Sequence, residues 1–185
     1  MSHARKFLFL ILLLVVCACA GSAGGLYSMS APPGTRVINI RHKYSGEKFD
    51  DVFAKDGKYD RAAFDKLAKL FRDRETGEVH EIDPKLIEVM YSLINALALP
   101  PGTEVLLTSG FRSPGRQAEL AQRNENFARR SFHTSGQAAD LKIPDVSGKA
   151  VAAVAQTLQD GGVAYYPKTG HIHVDVGAIR TWTPK

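Results

Sequence analysis

Two short segments contain the residues whose types and spacing could do chemistry. Residues 131–140 read SFHTSGQAAD, and residues 170–175 read GHIHVD. Together they offer imidazoles and carboxylates, ligands that hold Zn²⁺ while one coordination position stays open for water. A zinc ion held in this way activates its water for hydrolysis. The two segments therefore predict the metal site of a hydrolase.

The spacing of the second segment favours a β-strand. Polar and apolar residues alternate, so a strand would place His171, His173 and Asp175 on one face and Ile172 and Val174 on the other. One face could then do chemistry while the other packs. The alternative is that these are ordinary surface or hydrogen-bonded polar residues. The grouping of three of the six histidines with two aspartates in the two segments argues against it.

The first segment is predicted to bring its ligands to the same place. The sequence around His133 is small and turn-prone, and it leads into a predicted strand that begins at Ala138. Asp140 would lie near the start of that strand, just after the loop that carries His133. Both side chains could then reach one ion.

The two segments together resemble a known family. The pattern Ser-x-His-x-x-Gly-x-Ala-x-Asp followed by His-x-His is similar to that of the LAS-type zinc peptidases, the group of D-Ala-D-Ala carboxypeptidases and murein endopeptidases. Four more stretches look like its YcbK-like branch: TSGFRSP at 108–114, GGVAYYP at 161–167, HVDVG at 173–177 and RTW at 180–182. The resemblance extends from about Asn39 to Trp182. It implies the LAS-type (hedgehog/D-Ala-D-Ala-peptidase-like) metallopeptidase fold.

The resemblance also implies the central roles in the site. His133, Asp140 and His173 would be the zinc ligands, with water in the fourth position. The carboxypeptidase pattern has a Glu base three residues before the last ligand, where this chain has Gly170. In the His-x-His branch the first histidine serves instead, so His171 would be the general base.

Five further residues are candidates for substrate contact or support. By the resemblance, Arg112 would stabilise the oxyanion of the tetrahedral intermediate; the alternative is a surface arginine. Asp175 could fix the tautomer of a ligand histidine or be a surface carboxylate at the strand end. Ser131 could orient the first ligand histidine, touch substrate or be a simple turn residue. Tyr165 and Tyr166 could line the cleft or pack at the edge of the sheet.

Length and composition fit one compact enzyme. The chain has 185 residues, 44% of them hydrophobic and 23% charged, which are ordinary values for a globular domain. A net charge of +5 could attract an acidic polymer or an anionic membrane surface, and it is also typical of a solvated exterior. No basic run or nucleic-acid-binding motif occurs, so we expect no nucleic-acid partner. We expect a monomer.

The N-terminus, residues 1–20, is predicted to be an export signal. Basic residues precede ten unbroken apolar residues at 7–16, a length typical of a signal peptide and short for a membrane span. The sequence VCAC at 16–19 resembles a lipoprotein box with Cys19 as the lipidated residue. Ordinary signal-peptidase cleavage before Gly21 is the alternative. We therefore expect an exported, periplasmic protein, anchored to a membrane if lipidated.

The rest of the chain is predicted to form a tether and one α+β domain. Residues 21–35 are rich in Gly, Ser, Ala and Pro and indicate a flexible tether, and residues 36–185 would be the zinc peptidase domain. The predicted strands are 37–40, 105–108, 138–143, 163–166 and 171–176, and the predicted helices are 60–74, 84–97, 113–130 and 147–160. Hairpin-like connections favour a small antiparallel sheet backed by helices.

These features predict an exported zinc-dependent murein endopeptidase that hydrolyses peptide cross-links of peptidoglycan. The stem peptides of that polymer carry carboxylates, which a basic protein would attract. One alternative is a D,D- or L,D-carboxypeptidase that trims stem peptides. Another is a peptidoglycan-binding module that keeps the zinc site and has lost catalysis, since the Glu base is missing; His171 favours the enzymes.

Overall fold

The computed structural model describes residues 30–124, 127, 128 and 130–184. The predicted signal segment, Cys19 and residues 21–29 of the predicted tether lie outside this part of the chain. Within the described part, no helix combines the length and the apolar character that crossing a membrane requires.

The described residues form four α-helices, eight β-strands and a short 3₁₀-helix. The α-helices are α1 (Arg61–Phe71), α2 (Pro84–Ala96), α3 (Pro114–Arg123) and α4 (Gly148–Leu158). The strands are β1 (Arg36–His42), β2 (Lys48–Lys55), β3 (Lys58–Tyr59), β4 (Glu104–Ser109), β5 (Ala138–Lys142), β6 (Gly162–Tyr166), β7 (His171–Asp175) and β8 (Arg180–Trp182). The 3₁₀-helix, Phe132–Ser135, precedes β5.

The eight strands belong to one mixed sheet in the order β3-β2-β1-β4-β5-β7-β6-β8. Most neighbours run antiparallel, but β1 pairs with β4, and β6 with β8, in parallel. Helices combined with a mostly antiparallel sheet agree with the predicted α+β class. The sheet is larger than the small antiparallel sheet that was predicted, and it is antiparallel except for these two pairs. A hairpin and two helices connect β1 to β4, and this long connection lets the chain return in the same direction.

The predicted helix starts are confirmed by their caps. Four side-chain oxygens accept a backbone N–H from the first turn, those of Asp60, Asp83, Ser113 and Ser147. Satisfying an otherwise unpaired N–H in this way stabilises a helix by about 1 kcal/mol. Because Pro84 and Pro114 each follow a cap, their missing N–H groups cost these helices nothing.

Two helices end at least three residues earlier than predicted. Helix α1 ends at Phe71 instead of Arg74, because the Asp73 carboxylate accepts the N–H groups of Glu75 and Thr76 and closes a loop there. Helix α3 ends at Arg123 instead of residue 130.

The early end of α3 follows from the extended backbone of the next residue. Asn124 has φ −152° and ψ 119°, which a helix cannot continue. Beyond it, the side chain of Gln117 donates to the carbonyl oxygen of Ala128 at 2.6 Å. The chain therefore turns back along the helix and brings Phe127 to the cleft described below.

Helices α1, α2 and α4 contact the sheet, and α2 also contacts α4. Their apolar side chains share one core with those of the strands, including Ile172 and Val174 of β7. Burying a large aliphatic or aromatic side chain stabilises the fold by roughly 1.5–3 kcal/mol. The predicted alternation along β7 is confirmed, because its apolar positions face this core.

The end of the predicted tether packs on the domain. Ser30 forms a bridge with Lys58, and the Ala31 N–H donates to the carbonyl oxygen of Gly57 at 2.9 Å. Ala31 is buried. These two residues therefore belong structurally with the β2–β3 hairpin.

Candidate active site

Neighbouring strands in the middle of the sheet bring Asp140 and His173 together. Asp140 of β5 pairs with His173 of β7, and Ser109 of β4 pairs with Asp140. Side chains directly opposite each other on antiparallel strands have Cβ atoms about 4.5–5.5 Å apart. The strand register therefore fixes how closely these two side chains approach.

His133 reaches the same place from the 3₁₀-helix. The hydroxyl oxygen of Ser131 accepts the His133 backbone N–H at 3.3 Å and caps this turn. Gly136 ends it with φ 66°, and a Cβ atom there would lie 2.1 Å from the carbonyl oxygen of Glu81. Only glycine combines the left-handed backbone with so close an approach, so this residue fixes the position of the turn.

The three side chains present a converging set of donor atoms. His133 Nε2 lies 3.3 Å from Asp140 Oδ1 and 3.2 Å from His173 Nδ1, and the last two atoms are 3.0 Å apart. Zinc bonds of about 2.0–2.2 Å in tetrahedral geometry separate ligand atoms by roughly 3.3–3.6 Å. All three residues are buried. The site can therefore hold a metal ion with little movement of the side chains.

Hydrogen bonds fix both histidines in the tautomers that a metal requires. His133 Nδ1 lies 2.6 Å from the carbonyl oxygen of Gly110, and His173 Nε2 lies 2.9 Å from Asp175 Oδ2. Both partners only accept hydrogen bonds, so these ring nitrogens carry the hydrogen. With a metal ion bound, the opposite nitrogens, which converge on Asp140, would be the ones to offer their lone pairs to it.

Asp175 is held in turn by Arg180 and by two backbone amides. The Arg180 guanidinium donates to both carboxylate oxygens, at 3.0 and 2.6 Å. The N–H groups of Gly162 and Gly177 donate to Oδ1 at 3.2 and 2.9 Å. Burial alone would raise the pKa of Asp175, but hydrogen bonds from His173 and Arg180 outweigh it and lower that pKa, so the carboxylate stays ionised.

The protonation states of His133 and Asp140 suit metal binding, whereas at His173 a metal ion would compete with a proton. Burial, with help from the Arg112 guanidinium, lowers the pKa of His133 to about 4 and keeps this imidazole neutral. Burial would raise the pKa of Asp140, but both histidines and Arg112 hold it well below its usual range. Burial would lower the pKa of His173; its hydrogen bonds to Asp140 and Asp175 raise it instead.

Arg112 lies against the site through the outer oxygen of Asp140. Its Nη2 donates to Asp140 Oδ2 at 2.5 Å, and its Nε donates to the Ser109 hydroxyl at 3.0 Å. The guanidinium also packs over the Phe127 ring, 5.4 Å from its centroid. The alternative of a free surface arginine is therefore wrong.

A cleft of about 300 Å³ opens beside these residues. Arg112, Asp140, Tyr166 and His171 are among the side chains that line it. The His171 ring stacks on Tyr166 at 4.2 Å, and its Nδ1 lies 2.6 Å from the Thr169 hydroxyl. Burial lowers the pKa of His171 against the opposing effect of the Asp140 charge. The positive charges of Lys142 and Arg112, together with His173, lower it further.

Other predicted residues divide between the cleft and the core. Burial and the Asp140 charge raise the pKa of Tyr166 to about 12, so its phenol can only act as a neutral hydrogen-bonding group. Tyr165, the preceding residue of β6, packs against the hydrophobic core. Ser131 lines a second part of the cleft with Trp182, whose ring lies 5.3 Å from that of His173.

Three supporting residues could not be identified from sequence. Gly110 acts through its backbone carbonyl, which leaves no side-chain signal. Thr169 and Arg180 act through other residues, His171 and Asp175, and the partner of each is visible only in the folded chain. The RTW stretch indicated that the segment mattered but gave no role to the arginine.

Two buried histidines with fixed tautomers and a buried carboxylate, set beside an open cleft, define the site of a metallohydrolase. Comparison with known proteins gives the family. A family model described as peptidoglycan L,D-endopeptidase MepK matches residues 30–182. The chain belongs to this M15-type peptidase family, which confirms the resemblance to that group of peptidases.

Two relatives illustrate the match. The probable peptidoglycan L,D-endopeptidase MepK of Haemophilus influenzae is 34% identical over 155 residues, covering 84% of this chain and 83% of the relative. The peptidoglycan L,D-endopeptidase MepK of Escherichia coli K12 is 32% identical over 158 residues, covering 84% and 85%. No solved structure matches the chain significantly.

Proposed function

We propose that the protein is an exported zinc-dependent peptidoglycan endopeptidase that hydrolyses peptide cross-links of the cell wall, with the LAS-type fold. The observation that carries this proposal is the converging donor set of His133, Asp140 and His173, with both tautomers fixed, in a chain of the MepK family. The names of its relatives favour an L,D bond as the one cleaved.

The donor set favours zinc over harder cations. Two imidazoles and one carboxylate suit Zn²⁺, whereas Mg²⁺ and Ca²⁺ prefer oxygen ligands throughout. When bound, zinc would polarise the scissile carbonyl and lower the pKa of its water toward neutrality. The chain's own residues would then orient the substrate and move protons.

His171 is our general base, and Thr169 sets its tautomer. The Thr169 hydroxyl can donate to the carbonyl oxygen of Tyr166, 3.5 Å away, while its oxygen accepts from His171 Nδ1–H at 2.6 Å. That arrangement leaves His171 Nε2 free to take a proton. The lowered pKa keeps the ring neutral near pH 7, as a base requires.

Arg112 is our oxyanion stabiliser. Its guanidinium is anchored by Asp140 and Ser109 and lines the cleft, so a fixed positive charge borders the reacting carbonyl. A charge held in place before the reaction needs no reorganisation as negative charge develops on the oxygen.

The shape of the surface favours an endopeptidase over a carboxypeptidase. Cavities border Arg112 on two sides, one beside His171 and one beside Thr108. A cross-linked substrate continues in both directions from the scissile bond, so it needs room on both sides. A carboxypeptidase releases one terminal residue and needs only a closed end.

We also propose that residues 1–20 direct export and that Cys19 is lipidated, with residues 36–185 forming a monomeric catalytic domain in the periplasm. The test is mass spectrometry of the mature N-terminus after expression in a bacterial host that processes lipoproteins. A diacylated Cys19, lost together with membrane association in Cys19→Ala, supports the anchor. An unmodified N-terminus at Gly21 or beyond contradicts it.

Digestion of purified sacculi by the mature protein tests the activity. Masses of the released muropeptides should show cross-linked dimers converted to monomers, and His173→Ala should leave the dimers intact. Loss of single terminal residues with dimers unchanged would make the protein a carboxypeptidase. Unchanged masses with retained sacculus binding would make it a binding module.

A further inference from the structure

A second cavity, of about 420 Å³, adjoins the metal cleft. The ends of β1 and β4, the loop after α1, and α3 form its walls. Arg112 and Phe127 line both spaces. A peptide that crosses the metal site can therefore continue into this cavity, which is called the arginine cavity here for the arginines in its wall.

Arg72 and Arg74 give the rim of this cavity an excess of positive charge. Both guanidiniums bind the carboxylate of Glu47; Arg72 Nη1 donates to Oε1 at 3.0 Å, and Arg74 Nη1 donates to Oε2. One carboxylate thus serves two cations. The two arginine side chains are 29% and 27% exposed, so a ligand can reach them. Hydrogen bonds from Ser45 and from these two arginines lower the pKa of Glu47 to about 2.

The other two arginines in the wall, Arg112 and Arg116, are each matched by carboxylates, and Arg112 pairs with Asp140. Asp73 is buried, and its carboxylate accepts the Ser113 N–H at 2.7 Å, so this side chain has a structural role. Arg116 lies between Glu75 and Glu119, at 3.4 and 2.9 Å. Arg72 and Arg74 share one carboxylate, so they are the arginines of this wall that keep positive charge for a ligand.

Two buried polar groups deeper in the wall can donate to a ligand. Thr108 Oγ1 is buried and has no hydrogen-bond partner among the described residues. His42 is buried, and its Nδ1 accepts the Ser45 N–H at 3.2 Å, so Nε2 carries the hydrogen. Burial and Arg74 lower the pKa of His42 to about 4, which keeps the ring neutral. A buried hydroxyl without a partner is costly unless a ligand or water completes it.

We propose that the arginine cavity is a substrate subsite that binds a free carboxylate of the peptidoglycan stem peptide, with Arg72 and Arg74 as charged donors and Thr108 as a neutral one. This inference rests on the proposed function for its choice of ligand. Paired guanidiniums are well suited to carboxylates, because charge-assisted hydrogen bonds are short and strong. The subsite would select stems whose carboxylate is free over those in which it is amidated.

Calorimetric titration of the mature protein with two synthetic stem tetrapeptides tests whether the subsite recognises the negative charge of a free carboxylate. One peptide keeps its carboxylates, and in the other they are primary amides. The native protein should bind the free acid about tenfold more tightly, Arg74→Gln should lose that preference, and Arg74→Lys should keep part of it. The matched control is Arg61→Gln, which removes an ion-paired arginine of α1 outside the cavity and should keep the full preference. Equal binding of both peptides by the native protein, or equal weakening of both in Arg74→Gln, would overturn the subsite.

Thr108→Val separates ligand contact from folding. The change keeps the shape and removes a hydroxyl that has no partner among the described residues, so the melting temperature should stay the same or rise. Affinity for both peptides should fall about threefold to tenfold. Unchanged affinity would remove Thr108 from the subsite and overturn this part of the inference.

The same peptides keep the two proposals distinguishable. Sacculus digestion without selection between acid and amide overturns the subsite and leaves the endopeptidase. Selective binding of the acid by a protein that does not cleave sacculi supports the subsite and contradicts the endopeptidase.

Discussion

At the scale of single residues, the site depends on which nitrogen of each histidine carries a hydrogen. A backbone carbonyl at Gly110 fixes one tautomer and the carboxylate of Asp175 fixes the other. The two rings therefore present different atoms, Nε2 of His133 and Nδ1 of His173, to the same point. Groups that fix a ligand in this way typically change metal affinity by about 10-fold to 100-fold when they are removed.

Asp175→Asn should weaken zinc binding by about 10-fold to 100-fold, because an amide can present its NH₂ group to His173 and no longer enforces one tautomer. Competition with a chromogenic chelator measures the affinity. Asp145→Asn, at an exposed loop position, is the matched control and should bind zinc like the native protein. Native affinity in Asp175→Asn would remove Asp175 from the metal site.

His171→Ala should retain zinc and lose kcat by about 10²-fold to 10⁴-fold, the contribution of a positioned general base. Thr169→Val should also retain zinc and lose less rate, since the base remains but its tautomer is no longer fixed. Metal content and turnover of cross-linked muropeptides are measured on the same samples. Loss of zinc in His171→Ala would instead make His171 a ligand.

Sequence patterns could predict the residues that act through their side chains at regular spacing. The two segments indicated a group of candidate ligands, because ligand types clustered and the strand period was clear, and the resemblance singled out His133, Asp140 and His173 among them. Arg112 was found by resemblance. Nothing in a sequence marks a glycine whose carbonyl oxygen matters, or an arginine that acts on a carboxylate already assigned to the site.

At the scale of elements, close backbone contacts set the position of the site. The Phe111 N–H donates to the carbonyl oxygen of Phe71 at 2.7 Å, which locks the end of β4 to the end of α1. Gly110 lies in this contact. A Cβ atom there would be 2.6 Å from the Phe71 oxygen and 2.8 Å from the Phe71 Cβ.

Gly110→Ala should destabilise the protein by about 1–3 kcal/mol, because the added methyl group forces two packed backbones apart. It should also weaken zinc binding, since the Gly110 carbonyl holds His133. Gly115→Ala is the control; its Cβ meets nothing within 4 Å, and alanine in a helix is favoured by about 1 kcal/mol. Urea unfolding and chelator competition measure the two effects. An unchanged free energy of unfolding in Gly110→Ala would show that the contact is not tight in solution.

His42, at the end of β1, should make the fold sensitive to acid. Its pKa is about 4 when folded, below its ordinary value of 6.5. Above pH 6.5 the ring is neutral in both states and pH has no effect through it. As the pH falls from about 6.5 to about 4, the unfolded chain binds a proton that the folded chain excludes, so the free energy of unfolding decreases. Melting curves across this range should show that His42→Gln loses less stability on acidification than the native protein. An equal loss of stability in both proteins would contradict the role of His42.

The strands that sequence analysis missed are those with weak local signals. Strand β2 has Asp50 and Asp51 in its middle, although Phe49 and Phe53 are buried. Strand β8 has three residues and exists through its pairing with β6. Strand β1 runs parallel to β4 because of the long connection between them. Hydrophobic periodicity within a strand does not show in which direction its neighbour runs.

At the scale of the whole molecule, the fold brings together segments that are distant in the chain. The donor set comes from a 3₁₀-helix and two central strands, Arg112 follows a third strand, and Arg180 lies on a fourth. The sheet joins all of them, and its helices cover the opposite face of β7. This leaves an open cleft in which a polymer can lie across the metal site, as an endopeptidase of the cell wall requires.

The central claim is that one zinc ion at His133, Asp140 and His173 enables cleavage of peptidoglycan cross-links. The most direct measurement is titration of metal-free mature protein with Zn²⁺ while the splitting of a purified muropeptide dimer is followed by mass. We predict that cleavage is absent without metal and saturates near about one zinc per chain. Cleavage by the metal-free protein, or no cleavage after about one zinc has bound, would contradict the account.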